Sequence, residues 1–214
     1  MQTLFLIIFI ITTSIHLYAS AKKNKKLRNI TKPFILASLL GYYLCACADP
    51  MLSVILALIF SWLGDILLIP NGVKWFTAGG ISFMISHFCF ALSYAKDVYF
   101  QNATVRICLP IAAVFFIIVV TAIFRKLKKH LPKALFYPMY LYLLINGTMN
   151  CFAIIRYASV PNTMSLITCL GALLFFVSDA CLFFVRFNKE SKQNHFLVML
   201  TYSIGELLIV LGLI

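Results

Sequence analysis

Two aspartates, Asp65 and Asp179, stand inside stretches that otherwise read as membrane-spanning helix, residues 52–69 and 166–185. A charged side chain at the centre of a bilayer costs about 2.5 to 3.5 kcal/mol on insertion scales, so carboxylates there point to proton transfer, stabilisation of a cation, or ion binding. The chain has only six acidic residues, and that scarcity sharpens the signal. Ser61 precedes Asp65 by one helical turn and Ser178 directly precedes Asp179, while Tyr202 lies one turn before a third intramembrane acid, Glu206. His87 sits in a stripe with Gly80, Met84, Ala91 and Tyr94, and Asn146 and Asn150 are one turn apart.

These residues need helices to hold them, and composition supplies the class. The 214 residues are 63% hydrophobic and 11% charged, with a mean hydropathy of +0.99. Apolar runs of near-spanning length recur along the whole chain, which predicts an all-α, polytopic transmembrane helical bundle in a single membrane domain covering 1–214. Eight spans are predicted, at 2–20, 33–48, 51–69, 75–95, 105–124, 134–155, 164–185 and 196–213.

A net charge of +12 would suggest nucleic acid in a soluble chain, but the basic residues gather between spans. The odd-numbered loops hold 15 of the 18 Lys and Arg: Lys22, Lys23, Lys25, Lys26, Arg28 and Lys32, then Lys74, then Arg125, Lys126, Lys128, Lys129 and Lys133, then Arg186, Lys189 and Lys192. Lys96, Arg106 and Arg156 fall on the other side. By the positive-inside rule the odd loops are cytoplasmic and both termini lie outside, so the charge reports topology and no nucleic-acid partner is expected. Asp49-Pro50 reads as a tight external turn between the second and third spans. Ala19-Ser20-Ala21 resembles a signal-peptidase site, but no basic residue precedes the apolar run and a basic loop follows it, which predicts a retained first helix. The seven cysteines lie within or at the edge of spans without any C-x-x-C pair, and read as small buried apolar side chains.

With a rise of about 1.5 Å per residue, Asp65 lies about 7 Å and Asp179 about 10 Å from the cytoplasmic ends of their spans, with His87 and Glu206 about 16 to 20 Å in. Gly64, Gly80, Gly171 and Gly205 would let backbones approach closely beside these groups. For each polar residue a structural role competes with a functional one: interhelical clasps for the aspartates, His87, Glu206, Asn146 and Asn150, and plain topology signals for Lys32 and Lys74, which could instead bind a phosphate at the cytoplasmic rim. His16, His130 and His195 carry little signal.

The chain resembles the YhhN-type lysoplasmalogenases, polytopic membrane hydrolases acting on the vinyl ether bond of lysoplasmalogens. The resemblance rests on Phe60-Ser61-Trp62-Leu63-Gly64-Asp65-Ile66-Leu67-Leu68 against F-S-x-x-G-D-x-x-L, and on Gly80, Phe83 and His87 against G-x-x-F-x-x-x-H with Tyr94 downstream. Gly171-Ala172, Phe175, Ser178-Asp179 and Leu182 follow G-A-x-x-F-x-x-S-D-x-x-L, and Lys32-Pro33 opens the second span. One departure stands in the last span, where the family pattern has Ala-Gln or Gly-Gln after the tyrosine and this chain has Tyr202 and then Gly205-Glu206.

The resemblance implies a lysophospholipid substrate drawn from the surrounding membrane lipids, release of a fatty aldehyde, and no cofactor or metal. Asp65 and Asp179 would be the catalytic pair, because an apolar surrounding favours the neutral acid and lets one carboxyl serve as proton donor while an ionised partner stabilises the cation or activates water. Substrate contacts would fall to His87, Glu206, Ser61, Ser178, Tyr202, Lys32, Lys74, Asn146 and Asn150. Two other classes stay open: a proton- or cation-coupled transporter, which also places carboxylates at mid-depth, and a metal-dependent lipid hydrolase built from Asp65, His87, Asp179 and Glu206.

Overall fold

The computed structural model describes residues 1–188 and 195–214. Among them are eight α-helices: α1 (Gln2–Ala21), α2 (Lys25–Ala46), α3 (Leu52–Leu67), α4 (Val73–Ala95), α5 (Ala103–Leu127), α6 (Phe136–Ser159), α7 (Thr163–Phe187) and α8 (His195–Leu211). Two 3₁₀ turns, Lys128–His130 and Lys133–Leu135, join α5 to α6, and the described residues contain no strand. The all-helical membrane class read from the sequence is what the structure shows. Five segments are long and apolar enough to cross a bilayer: α1, α4, α5 with its following turn, α6 with its preceding turn, and α7.

Of the remaining three helices two are short, and α2, with 22 residues, is long but begins with a basic stretch. α3 and α8, with 16 and 17 residues, are apolar but short. At about 1.5 Å per residue they reach about 25 Å, against about 30 Å of hydrocarbon. α3 is stopped at Leu67, just before Pro70. α2 corrects the sequence reading, because it starts at Lys25 rather than near Pro33. The Asn24 side chain accepts from the Leu27 amide at 3.1 Å and starts the helix early, so Lys25, Lys26, Arg28 and Lys32 belong to its first turns and not to a loop. Pro33 lies inside the helix, where its missing N–H removes one backbone bond. Lys74, Arg106, Arg125, Lys126, Arg156 and Arg186 are likewise helical. Lys189 and Lys192 lie outside the described residues.

The chain divides into two compact units, residues 1–90 with Ile214, and 91–213. In the first, α2 packs on α1 and α3. Ile35, Leu36 and Leu39 of α2 and Val54, Ala57 and Leu58 of α3 are buried, and the Tyr43 hydroxyl accepts from the Met51 amide at 3.0 Å, which secures the 47–51 turn. His16, which carried little weight in the sequence, is buried and its Nδ1 lies 2.8 Å from Thr31 Oγ1. Thr31 donates to the Leu27 carbonyl at 2.9 Å, so its oxygen is left to accept from the imidazole.

In the second unit the closest helix pair is α7 with α8. A Cβ on Gly171 would lie 2.7 Å from the Gly205 carbonyl oxygen, and one on Gly205 would lie 2.9 Å from that of Gly171, so only glycine permits this backbone contact. The capping box of Asn162 and Ser165 starts α7, and Asn102 caps α5. Arg156, buried near the end of α6, donates from Nε to Asp97 at 2.8 Å and from Nη1 to Thr168 Oγ1 at 2.8 Å and the Gly212 carbonyl at 3.2 Å. It thereby ties α6, α7 and the carboxyl end of α8. The apolar side chains left outside, such as Ile107, Ile111, Phe115 and Ile118 on α5, suit a lipid-facing surface. The cysteines are all free, but only Cys89 and Cys151 are buried and Cys45 is exposed, because the spans present much of their apolar surface outward.

Removing the Arg156 guanidinium leaves Asp97, Thr168 and the Gly212 carbonyl without their shared donor. Arg156→Ala is expected to cost about 3 kcal/mol or more in thermal unfolding of the detergent-solubilised protein, with Arg156→Lys recovering only part.

Candidate active site

Asp65 lies in the last turn of α3, one turn after Ser61, and both side chains are buried. Lys32 of α2 reaches it, with Nζ 3.1 Å from Oδ1. The carboxylate is 3% exposed and the ammonium carrier 16%, so the pair is screened far less than a surface bridge. α2 is held in register by the Trp62 indole, which donates to the Pro33 carbonyl at 2.7 Å, one residue beyond Lys32. On the other side α4 approaches because Gly64 has no side chain: a Cβ there would stand 2.6 Å from the Phe83 ring. That approach brings Ser86 Oγ to 2.7 Å from Ser61 Oγ, and Ser82 donates to the Phe60 carbonyl at 2.6 Å.

Asp179 lies in the second unit, on α7, and is served by α6. Its Oδ2 accepts from the Tyr142 hydroxyl at 2.6 Å and from Asn146 Nδ2 at 2.7 Å. Asn150 in turn donates to Asn146 Oδ1 at 3.0 Å, which turns the Asn146 amide so that its NH₂ faces the carboxyl. Tyr142, Asn146 and Asn150 are spaced by four residues and form one polar row along α6. The Tyr142 ring meets Phe183 edge-on, with centroids 5.3 Å apart, and this packing fixes the hydroxyl. Tyr142 is not singled out by the sequence reading, although its place one turn before Asn146 is the signal that would have found it.

The other expected site residues fall out differently. Ser178 gives its hydroxyl to the Val198 carbonyl at 2.8 Å, clasping α7 to α8. Tyr202 packs its ring edge-on against Phe175 at 5.3 Å. Lys74 is exposed in the first turn of α4 and takes part in no ion pair among the described residues, whereas Lys32 is bound to Asp65. His87 and Glu206 are fully buried, and Tyr94 lies within electrostatic range of Glu206 and of Arg156. Among the described residues no three His, Cys, Asp or Glu side chains are arranged to hold a metal ion.

Two buried carboxyls, one ion-paired to Lys32 and one hydrogen-bonded by Tyr142 and Asn146, stand on α3 and α7, and the family profile of YhhN matches residues 27–213. The chain belongs to the YhhN family. The match runs from the first turn of α2 past the end of α8 and includes both aspartates. No curated protein and no solved structure matches the chain. Within this YhhN protein the residues that carry the family pattern are also the ones that carry the close contacts: Gly64, Phe83 and Asp65 in one unit, Gly171, Phe175 and Asp179 in the other.

Breaking the Lys32–Asp65 pair at one end strands a buried charge. Lys32→Met alone is expected to destabilise the protein by about 3 kcal/mol or more, and the double variant Lys32→Met/Asp65→Asn to recover most of the loss. Thermal unfolding of the four proteins of the cycle measures the coupling directly.

Proposed function

We propose that this YhhN protein hydrolyses the vinyl ether bond of lysoplasmalogens, with Asp179 as the acid and Asp65 as the carboxylate of the reaction. Family membership is consistent with lysoplasmalogenase-like hydrolysis, and the observation that carries the division of roles is the ammonium of Lys32 at 3.1 Å from Asp65. An ion pair makes Asp65 the charged member. The reaction also needs a proton donor, and that role falls to Asp179. The Tyr142 hydroxyl and the Asn146 amide both address Oδ2, which holds the carboxyl in a fixed orientation for proton transfer.

The proton adds to the alkene carbon remote from the ether oxygen and leaves an oxocarbenium ion. Water, losing a proton to a carboxylate, adds to the carbon bonded to oxygen and gives a hemiacetal. The hemiacetal then breaks its bond to the glycerol oxygen, which takes up a proton, while the remaining carbon becomes the aldehyde. A negative carboxylate stabilises the cationic stage, and a buried setting strengthens that effect. The substrate is a one-chain lipid of the membrane in which the helices lie, which in a bacterial cell is the cytoplasmic membrane.

Purified protein in detergent, given a lysoplasmalogen, is expected to release aldehyde, which separates hydrolysis from transport because detergent leaves no second compartment. Asp65→Asn and Asp179→Asn are each expected to lower kcat by about a hundredfold or more, and Tyr142→Phe by about tenfold through loss of alignment. Near wild-type turnover in either folded Asn variant contradicts the assignment.

A further inference from the structure

The connection between α5 and α6 carries a cationic surface that the reaction leaves unused. Arg125, Lys126, Lys128, Lys129 and Lys133 are all exposed, and none of them takes part in an ion pair among the described residues. The sequence from Val98 to Ser178 contains no Asp or Glu, so no acidic side chain of this stretch is there to neutralise them. Topology alone asks only that such charges stay on one side of the membrane. The structure adds a shape. Leu127, Leu131 and Leu135 recur every four residues and are 0%, 7% and 5% exposed, so they pin the segment to the protein while the cations face outward. The two 3₁₀ turns and Pro132 between them restrict the backbone, and Lys128 Nζ sits 5.7 Å from the centre of the Phe136 ring. Tyr137, 87% exposed, stands beside them with an amphipathic ring of the kind that settles at headgroup level.

We infer that this α5–α6 connection is a docking surface for anionic phospholipid, its five cations held by a leucine anchor against the phosphate groups of the bilayer surface. The segment joins two helices long enough to span the membrane, so headgroups are the anions it meets.

Native mass spectrometry of the full-length protein in detergent tests this, with phosphatidylglycerol titrated in one arm and phosphatidylcholine in the other. Wild type is expected to retain phosphatidylglycerol with about tenfold preference or more, falling as ammonium acetate is raised. The variant Lys126→Gln/Lys128→Gln/Lys129→Gln/Lys133→Gln is expected to lose that preference, while Lys22→Gln/Lys23→Gln/Lys25→Gln/Lys26→Gln keeps most of it. The inference is overturned by equal retention of the two lipids in wild type, by insensitivity to salt, by unchanged preference in the first variant, or by an equal loss in the second. Displacement of the lipid by inorganic phosphate would likewise overturn it, by making this a free-phosphate site. Where the first quadruple variant fails to insert, the milder Lys128→Gln/Lys129→Gln is expected to lose part of the preference, and an unchanged preference there overturns the inference.

Discussion

A buried charge in an apolar helix has to find its partner inside the protein, and this requirement organises both units. Water is not there to solvate Asp65, so Lys32 must reach it, and for Lys32 to reach it α2 must be helical well before the apolar stretch begins. Asn24 starts that helix, and the Trp62 to Pro33 bond sets it against α3. Asp179, a buried polar group rather than an ion-paired one, draws hydrogen bonds from Tyr142 and Asn146 of α6 and, through Asn146, from Asn150. Arg156 is the inverse case, a buried cation that gathers three acceptors.

Helix class, the approximate positions of the spans and the two aspartates were legible in the sequence because each rests on a local property: hydropathy over a window, or a charge where none is tolerated. The close contacts at Gly171 and Gly205 were legible for a similar reason, since small residues beside polar ones mark where backbones meet. What could not be read was which side chain meets which. Lys32 and Lys74 look alike in sequence, both basic and both at span ends, yet one is bound to Asp65 and the other is exposed, because only tertiary packing brings α2 alongside α3. Ser178 looked like a site residue through its adjacency to Asp179, but successive helical residues point about 100° apart, and its hydroxyl turns to α8. The start of α2 was hidden by the habit of reading basic residues as loop.

The two carboxyls reach comparable isolation from solvent by different chemistry, an ammonium for one and a row of neutral donors for the other. In the proposed reaction the ion-paired member, Asp65, is the stabilising carboxylate. The same ion pair places Lys32, read from the sequence as a topology signal or a phosphate contact, against Asp65 instead.

The charge on Asp65 is the claim from which the division of roles follows. Infrared spectroscopy of the purified protein, with Asp65→Asn and Asp179→Asn used to assign the bands, reads it without recourse to turnover. The account requires that Asp65→Asn remove an ionised carboxylate stretch and Asp179→Asn remove the carbonyl stretch of a carboxylic acid. Loss of a carboxylic acid band in Asp65→Asn would contradict it.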